Sequence, residues 1–168
     1  MQLYAGLDLH STNTYIGILD QEFNRIFKKR VSNNLELILQ TLKPFGNQLK
    51  GLVVESTYNW YWLIDGLMDN GYQCLHLANP SAIKQYEGLK HADDQHDAFF
   101  LAHLLILGIL PQGYIYPKKD RPLRDLARKC MFLVQHRTAH ILSLQSLISR
   151  CCAKNVSTSE MRQITLIN

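Results

Sequence analysis

The chain lacks the sequence patterns that mark membrane, secreted or zinc-binding proteins. No run of about 18 uninterrupted apolar residues occurs, which excludes a transmembrane helix. The first residues lack a basic segment followed by an apolar one, so we expect no signal peptide. The four cysteines form no CxxC pair, which excludes a zinc knuckle and a disulfide framework. We therefore expect a cytoplasmic protein with reduced thiols and no membrane partner.

Three common functional signatures are also missing. The sequence has no GxxxxGK[ST] loop, no GxGxxG loop and no GxSxG turn, and neither repeats nor low-complexity tracts. With 168 residues, of which 46% are hydrophobic, the chain is long enough for one domain, or for one domain and an appendage, with a substantial core.

The net charge of +4 is unevenly distributed. Residues 1–116 contain 8 Lys and Arg against 11 Asp and Glu, a net charge of −3, whereas residues 117–168 contain 10 against 3, a net charge of +7. A basic segment attached to a mildly acidic body suits a polyanionic partner, although a solvated basic helix face fits the charge equally well.

The hydrophobic pattern predicts an α/β fold. Strands are expected over 3–9, 14–19, 25–31, 49–55 and 72–77. Helices are expected up to about residue 42 with Asn33 or Asn34 as the cap, over 60–68, 94–107 and 122–153, and as a short helix from residue 79. Three antiparallel strands followed by alternating helices and strands predict a mixed sheet with helices on its faces, in an RNase H-like (RuvC-like) arrangement. We assign residues 1–113 to this domain and 114–168 to a basic long helix and tail.

The long helix has a repeating apolar seam. Hydrophobic residues recur every three or four positions from Leu126 to Cys151, interrupted by Arg137, as in a coiled coil. About 30 helical residues extend ~45 Å, too far for a body of this size to cover. We expect another copy of the chain, a further domain or nucleic acid to pack on it.

Four carboxylates lie within or beside apolar segments. Asp8 is flanked by Leu7 and Leu9 in the first strand, Glu55 ends the run 52–55, and Asp94 and Asp97 open the helix at 94–107. A buried carboxylate is costly unless its charge is compensated, and Mg²⁺ prefers such hard oxygen ligands. The alternatives are ordinary: Asp93 or Asp94 as a helix cap, Asp97 as a first-turn acid, and Glu55 as a strand end.

These residues resemble a known family. The motif 6–8 (Gly-Leu-Asp), the motif 54–57 (Val-Glu-Ser-Thr) before an aromatic cluster, and Lys90 ahead of Asp94-x-x-Asp97-Ala98 are similar to the DEDD transposases of the insertion-sequence 110 family. The Piv-type DNA invertases share this pattern, and the resemblance covers about residues 3–152. Asp93 stands where the family often has Thr or Ser, so the choice between Asp93 and Asp94 stays open.

The resemblance implies a metal-dependent DNA recombinase. Asp8, Glu55, Asp94 and Asp97 would be catalytic and bind Mg²⁺, with Mn²⁺ as a substitute, and Arg121, Arg124, Arg128 and Lys129 would bind nucleic acid. Family members act on DNA as oligomers, some with a structured guide RNA, and carry a nucleophilic serine in a second domain. We expect that domain to be absent here, so that cleavage and strand transfer belong to the intact protein, and we expect a homo-oligomer formed through the long helix.

Two other classes of function fit parts of the sequence. In a non-catalytic module, the RNase H-like fold would persist, and the long helix would bind nucleic acid or form the oligomer. In an actin-like ATPase lobe, Gly6 and Asp8 with the polar residues 11–13 would cradle phosphates, but the acid pair at Asp94 and Asp97 would have no role.

Overall fold

The computed structural model describes residues 1–89 and 94–164. Their strands are β1 (Leu3–Leu9), β2 (Asn13–Asp20), β3 (Arg25–Ser32), β4 (Leu49–Glu55), β5 (Leu75–Ala78) and β6 (Gln112–Gly113). Their helices are α1 (Leu35–Leu42), α2 (Tyr61–Asp69), α3 (Pro80–Ile83), α4 (Asp94–Ile106), α5 (Arg121–Cys152) and α6 (Thr158–Ile164), with 3₁₀ turns at Lys43–Phe45, Lys84–Leu89 and Lys118–Asp120.

The described strands form one mixed sheet in the order β3-β2-β1-β4-β5-β6. The first three strands are an antiparallel meander, β4 lies parallel to β1, and β5 lies parallel to β4. This topology confirms the predicted RNase H-like fold. It places β4 between β1 and β5, parallel to both.

Both faces of the central strands are buried, which explains their nearly continuous apolar sequences. One face packs against α1 and α2 in a core that includes Leu7, Ile16, Val54 and Trp60. The other face packs against α4, through clusters that contain Val53, Leu104 and Phe99 among others. The outermost strand β3 is mostly exposed.

The predicted strands and α-helices match the observed ones to within one residue except at three places. The fifth strand begins at Leu75 rather than 72, and Leu75 pairs with Leu52 of β4. The two-residue strand β6 and the helix α6 were not predicted. Both are too short for a periodic pattern to identify.

The chain divides into two compact units, Met1–Ile115 and Tyr116–Asn168. The first contains the sheet and α1 to α4. In the second, Gln145 donates a hydrogen bond to the carbonyl of Val156 at 2.7 Å, and Met161 of α6 is buried. None of the helices formed by the described residues is long and apolar enough to span a bilayer.

Candidate functional site

The first two carboxylates of the predicted site lie on neighbouring parallel strands. β1 and β4 pair with Leu7 opposite Val54, so Asp8 and Glu55 follow side by side, one residue further along. Adjacent strands lie about 4.8 Å apart, and residues at one level of a sheet share a face. The strand pairing therefore brings Asp8 and Glu55 to one face, at the carboxyl ends of β1 and β4.

Asp8 is buried, with 4% of its surface exposed, and its carboxylate contacts a histidine. The imidazole Nε2 of His10 lies 2.8 Å from Oδ2 of Asp8. The His10 ring packs edge-on against Tyr15, with ring centroids 5.5 Å apart. A hydrogen bond of this kind lowers the cost of burying the Asp8 carboxylate.

Asparagine side chains hold the loop that carries His10. The His10 carbonyl accepts hydrogen bonds from Nδ2 of Asn33 at 2.9 Å and from Nδ2 of Asn59 at 3.4 Å. Oδ1 of Asn33 accepts a hydrogen bond from the hydroxyl of Thr14 at 2.8 Å. Asn33 thus joins the end of β3 to the loop between β1 and β2, and helps to fix where His10 meets Asp8.

We expect Asn33→Ala to destabilise the first unit by about 1–3 kcal/mol, because it leaves the fully buried Thr14 hydroxyl without this acceptor. Denaturant unfolding followed by tryptophan fluorescence measures this loss. In a double-mutant cycle, Thr14→Val should cost much less in the Asn33→Ala background than in the wild type. Strictly additive losses would contradict the proposed coupling.

The helix that carries Asp97 lies directly against β1. A Cβ atom on Gly6 would lie 1.8 Å from the carbonyl oxygen of Ala98 and 3.1 Å from the backbone nitrogen of Ala102. Only glycine permits this approach. Asp97 immediately precedes Ala98 and is partly buried, so its backbone lies on the face of the sheet that carries Asp8 and Glu55.

Part of the predicted acid set falls outside the described residues. Asp94 begins α4, but its side chain is not described, and Lys90 and Asp93 are not described at all. The choice between Asp93 and Asp94 as a ligand therefore stays a prediction.

The carboxylates fit a divalent metal by their chemistry. Asp8 and Glu55 offer hard oxygen donors on adjacent strands, and Oδ1 of Asp97 is buried on the helix that packs over that face. Among the described side chains, no group of three or more His, Cys, Asp or Glu residues lies close enough to hold a metal. The donor types thus suit Mg²⁺, but the described side chains of Asp8, Glu55 and Asp97 do not come together as a group of three.

The four predicted nucleic-acid-binding residues all lie at the start of α5, but their environments differ. Arg121 is buried, and its Nε donates to the carbonyl of Tyr116 at 2.8 Å. The guanidinium of Arg124 lies 4.8 Å from the Tyr116 ring centroid and also contacts Asp125. Arg128 and Lys129 are exposed, with the ammonium of Lys129 4.9 Å from the ring of Phe132.

Sequence reasoning missed His10, Tyr15 and Asn33 as parts of this site. The interval of two residues between Asp8 and His10 was available as a signal, because residues i and i+2 of an extended chain face the same side. The contacts of Asn33 with Thr14 and His10 span 19 and 23 residues, and no local pattern predicts them.

A mixed sheet in this order, with acids at the ends of two adjacent parallel strands, defines the RNase H-like class. Residues 5–153 match the profile of a transposase family, the DEDD transposases of the insertion-sequence 110 type. The match covers most of the chain, and the chain belongs to this family. Among curated proteins, none matches it.

Two solved structures of RuvC are similar to the chain. The structure of Thermus thermophilus RuvC in complex with a Holliday junction substrate is 12% identical, with a TM-score of 0.48, and that of Thermus thermophilus RuvC alone is 13% identical, also with a TM-score of 0.48. Each alignment covers 67% of this chain and 100% of the RuvC chain.

Proposed function

We propose that this chain is the catalytic domain of a DNA transposase or site-specific recombinase, with Asp8, Glu55, Asp94 and Asp97 as its metal-binding acids. The observation that carries the proposal is the pairing of β1 with β4, which sets Asp8 beside Glu55 on the face that α4 covers. Membership of the transposase family supports DNA as the substrate.

In this proposal the four acids bind the metal from two elements of the fold, the sheet and α4. When bound, Mg²⁺ supplies the positive charge that polarises a DNA phosphate, as in other metal-dependent phosphodiester cleavage. Asp8 and Glu55 would hold the ion from the sheet, and Asp94 and Asp97 would hold it from the first turn of α4. His10 orients the carboxylate of Asp8 through its 2.8 Å contact.

The second unit would serve assembly and nucleic-acid binding. α5 exposes large apolar side chains along most of its length: Leu123, Leu126, Met131, Phe132, Leu133, Val134, Leu142, Leu144 and Leu147. Burying these exposed apolar side chains would be favourable, which supports a homo-oligomer through α5. The cations Arg121, Arg124, Arg128 and Lys129 near its start would contact DNA or a guide RNA.

We expect Mn²⁺, titrated into the wild-type chain, to bind saturably in isothermal calorimetry. Asp8→Asn/Asp97→Asn should abolish this heat, because it removes two anionic ligands. Glu36→Gln is the control, since Glu36 is an exposed acid on α1, which packs on the opposite face of the sheet. An unchanged titration in the double variant, or no binding in the wild type even with a DNA oligonucleotide present, would contradict the proposal.

A further inference from the structure

We propose that the outer strand β3, together with Tyr15, binds the sugar-phosphate backbone of the DNA strand on which the acids act. This inference rests on the proposed function and adds a substrate-binding surface in the first unit. It concerns Arg30 and Lys28 of β3, which are separate from the cations of α5.

The strand registers connect Arg30 with the acids. Tyr15 is paired with Asp8 on one side and with Arg30 on the other, so the three residues form one row across β1, β2 and β3. Residues of one row share a face. The guanidinium carbon of Arg30 lies 5.5 Å from the Tyr15 ring centroid, and that ring contacts His10, which contacts Asp8.

Lys28 lies on the same face, two residues and therefore two rows further along. It pairs with Gly17, which in turn pairs with Gly6, beneath α4. Lys29 points the opposite way, because it pairs with Ile16, a core residue of the face that packs on α1 and α2. Lys28, Lys29 and Arg30 are all exposed.

The charge and spacing of β3 fit a nucleic-acid backbone. Its eight residues Arg25–Ser32 contain Arg and Lys but no acid. Arg30 lies about 10 Å from Asp8, two strand spacings away, and Lys28 lies about 7 Å from Arg30 along the strand. Carboxylates repel phosphates, so cations beside the acids are needed to hold a strand whose target phosphate lies at Asp8 and Glu55.

Cations on an edge strand also have a simpler explanation, because they protect the edge from pairing with another sheet. That explanation requires charge on the strand but does not depend on the face to which the charge points. A backbone-binding surface requires the cations on the face that carries Asp8. Lys28 and Lys29 therefore form a matched pair, adjacent in sequence, identical in charge and opposite in orientation.

The test is fluorescence anisotropy of a labelled single-stranded DNA oligonucleotide with the full chain in EDTA, at several salt concentrations. Lys28→Gln and Arg30→Gln should each weaken binding about three- to ten-fold and reduce the slope of log affinity against log salt by ~0.7, the value for one phosphate contact on a single strand. Lys29→Gln should change the affinity less than two-fold. Circular dichroism and thermal melting verify that the variants fold.

Equal losses for Lys28→Gln and Lys29→Gln would overturn the inference, as would the absence of binding by the wild-type chain. An RNA oligonucleotide of the same sequence that binds more tightly than the DNA would overturn the assignment to DNA. Because these measurements are made without metal, they are independent of the Mn²⁺ titration. Normal Mn²⁺ binding with DNA affinity unaffected by Lys28→Gln and Arg30→Gln would reject this surface and leave the proposed metal site intact.

Discussion

Gly6→Ala is expected to destabilise the first unit by about 3 kcal/mol or more, at the upper end of the range for overpacked sites. The new Cβ would lie 1.8 Å from the carbonyl oxygen of Ala98. That atom belongs to the backbone of α4 and cannot move aside as a side chain can. Either α4 shifts away from β1 or the strand bends, and both changes expose apolar surface between them.

Two other glycines provide graded controls. At Gly17 the added Cβ would meet the ring of Phe99 at 2.9 Å, and a side chain can give way more easily than a backbone. At Gly46 the nearest atom is 3.6 Å away, so alanine is expected to be neutral or slightly stabilising. Unfolding is followed by the fluorescence of Trp60 and Trp62, the two tryptophans of the chain, both in the first unit.

The loss of stability should be largest for Gly6→Ala, smaller for Gly17→Ala and smallest for Gly46→Ala. A Gly6→Ala variant as stable as Gly46→Ala would contradict the close packing of α4 on β1. Because α4 carries Asp97, Gly6→Ala should also weaken Mn²⁺ binding under conditions in which the variant remains folded.

The parts of this fold that local patterns determine could be predicted from the sequence. The buried runs of β1 and β4 give continuous apolar stretches, and the acids Asp8 and Glu55 stand out because they interrupt or end them. The side-chain cap of α1 by Asn34 follows from a residue type that favours helix starts. These signals lie within a few residues of the feature that they predict.

Features that depend on register could not be predicted in the same way. A slip of one residue between β2 and β3 would move Arg30 to the opposite face and bring Lys29 beside Tyr15. The sequence of β3 permits either arrangement, because cations occupy three consecutive positions, Lys28, Lys29 and Arg30. The row from Asp8 to Arg30 therefore became visible only with the strand pairing.

We expect Asp8→Asn to reverse its effect on stability when metal is added. In EDTA the variant should be at least as stable as the wild type, because one of two like charges on adjacent strands is removed. Asparagine retains a side-chain oxygen that can accept a hydrogen bond from His10, so the contact seen at Oδ2 of Asp8 need not be lost.

With metal at about 100 times its dissociation constant, the wild-type chain should gain ~2.7 kcal/mol, and its melting temperature should rise by about 10 °C. Asp8→Asn should gain little, since it has lost an anionic ligand. Thermal melting in EDTA and in excess Mn²⁺ measures both effects. The control variant Glu36→Gln, on α1 at the opposite face of the sheet, should respond to metal as the wild type does.

This reversal separates a metal-binding acid from a structural one. If the carboxylate of Asp8 served only to accept a hydrogen bond from His10, Asp8→Asn would have the same effect on stability with and without metal. If Asp8 binds metal, its carboxylate lowers the stability of the metal-free chain and raises the stability of the metal-bound chain. Parallel losses in the two conditions would therefore contradict the site while leaving the fold unaffected, because Asn and Asp differ little in size at this buried position.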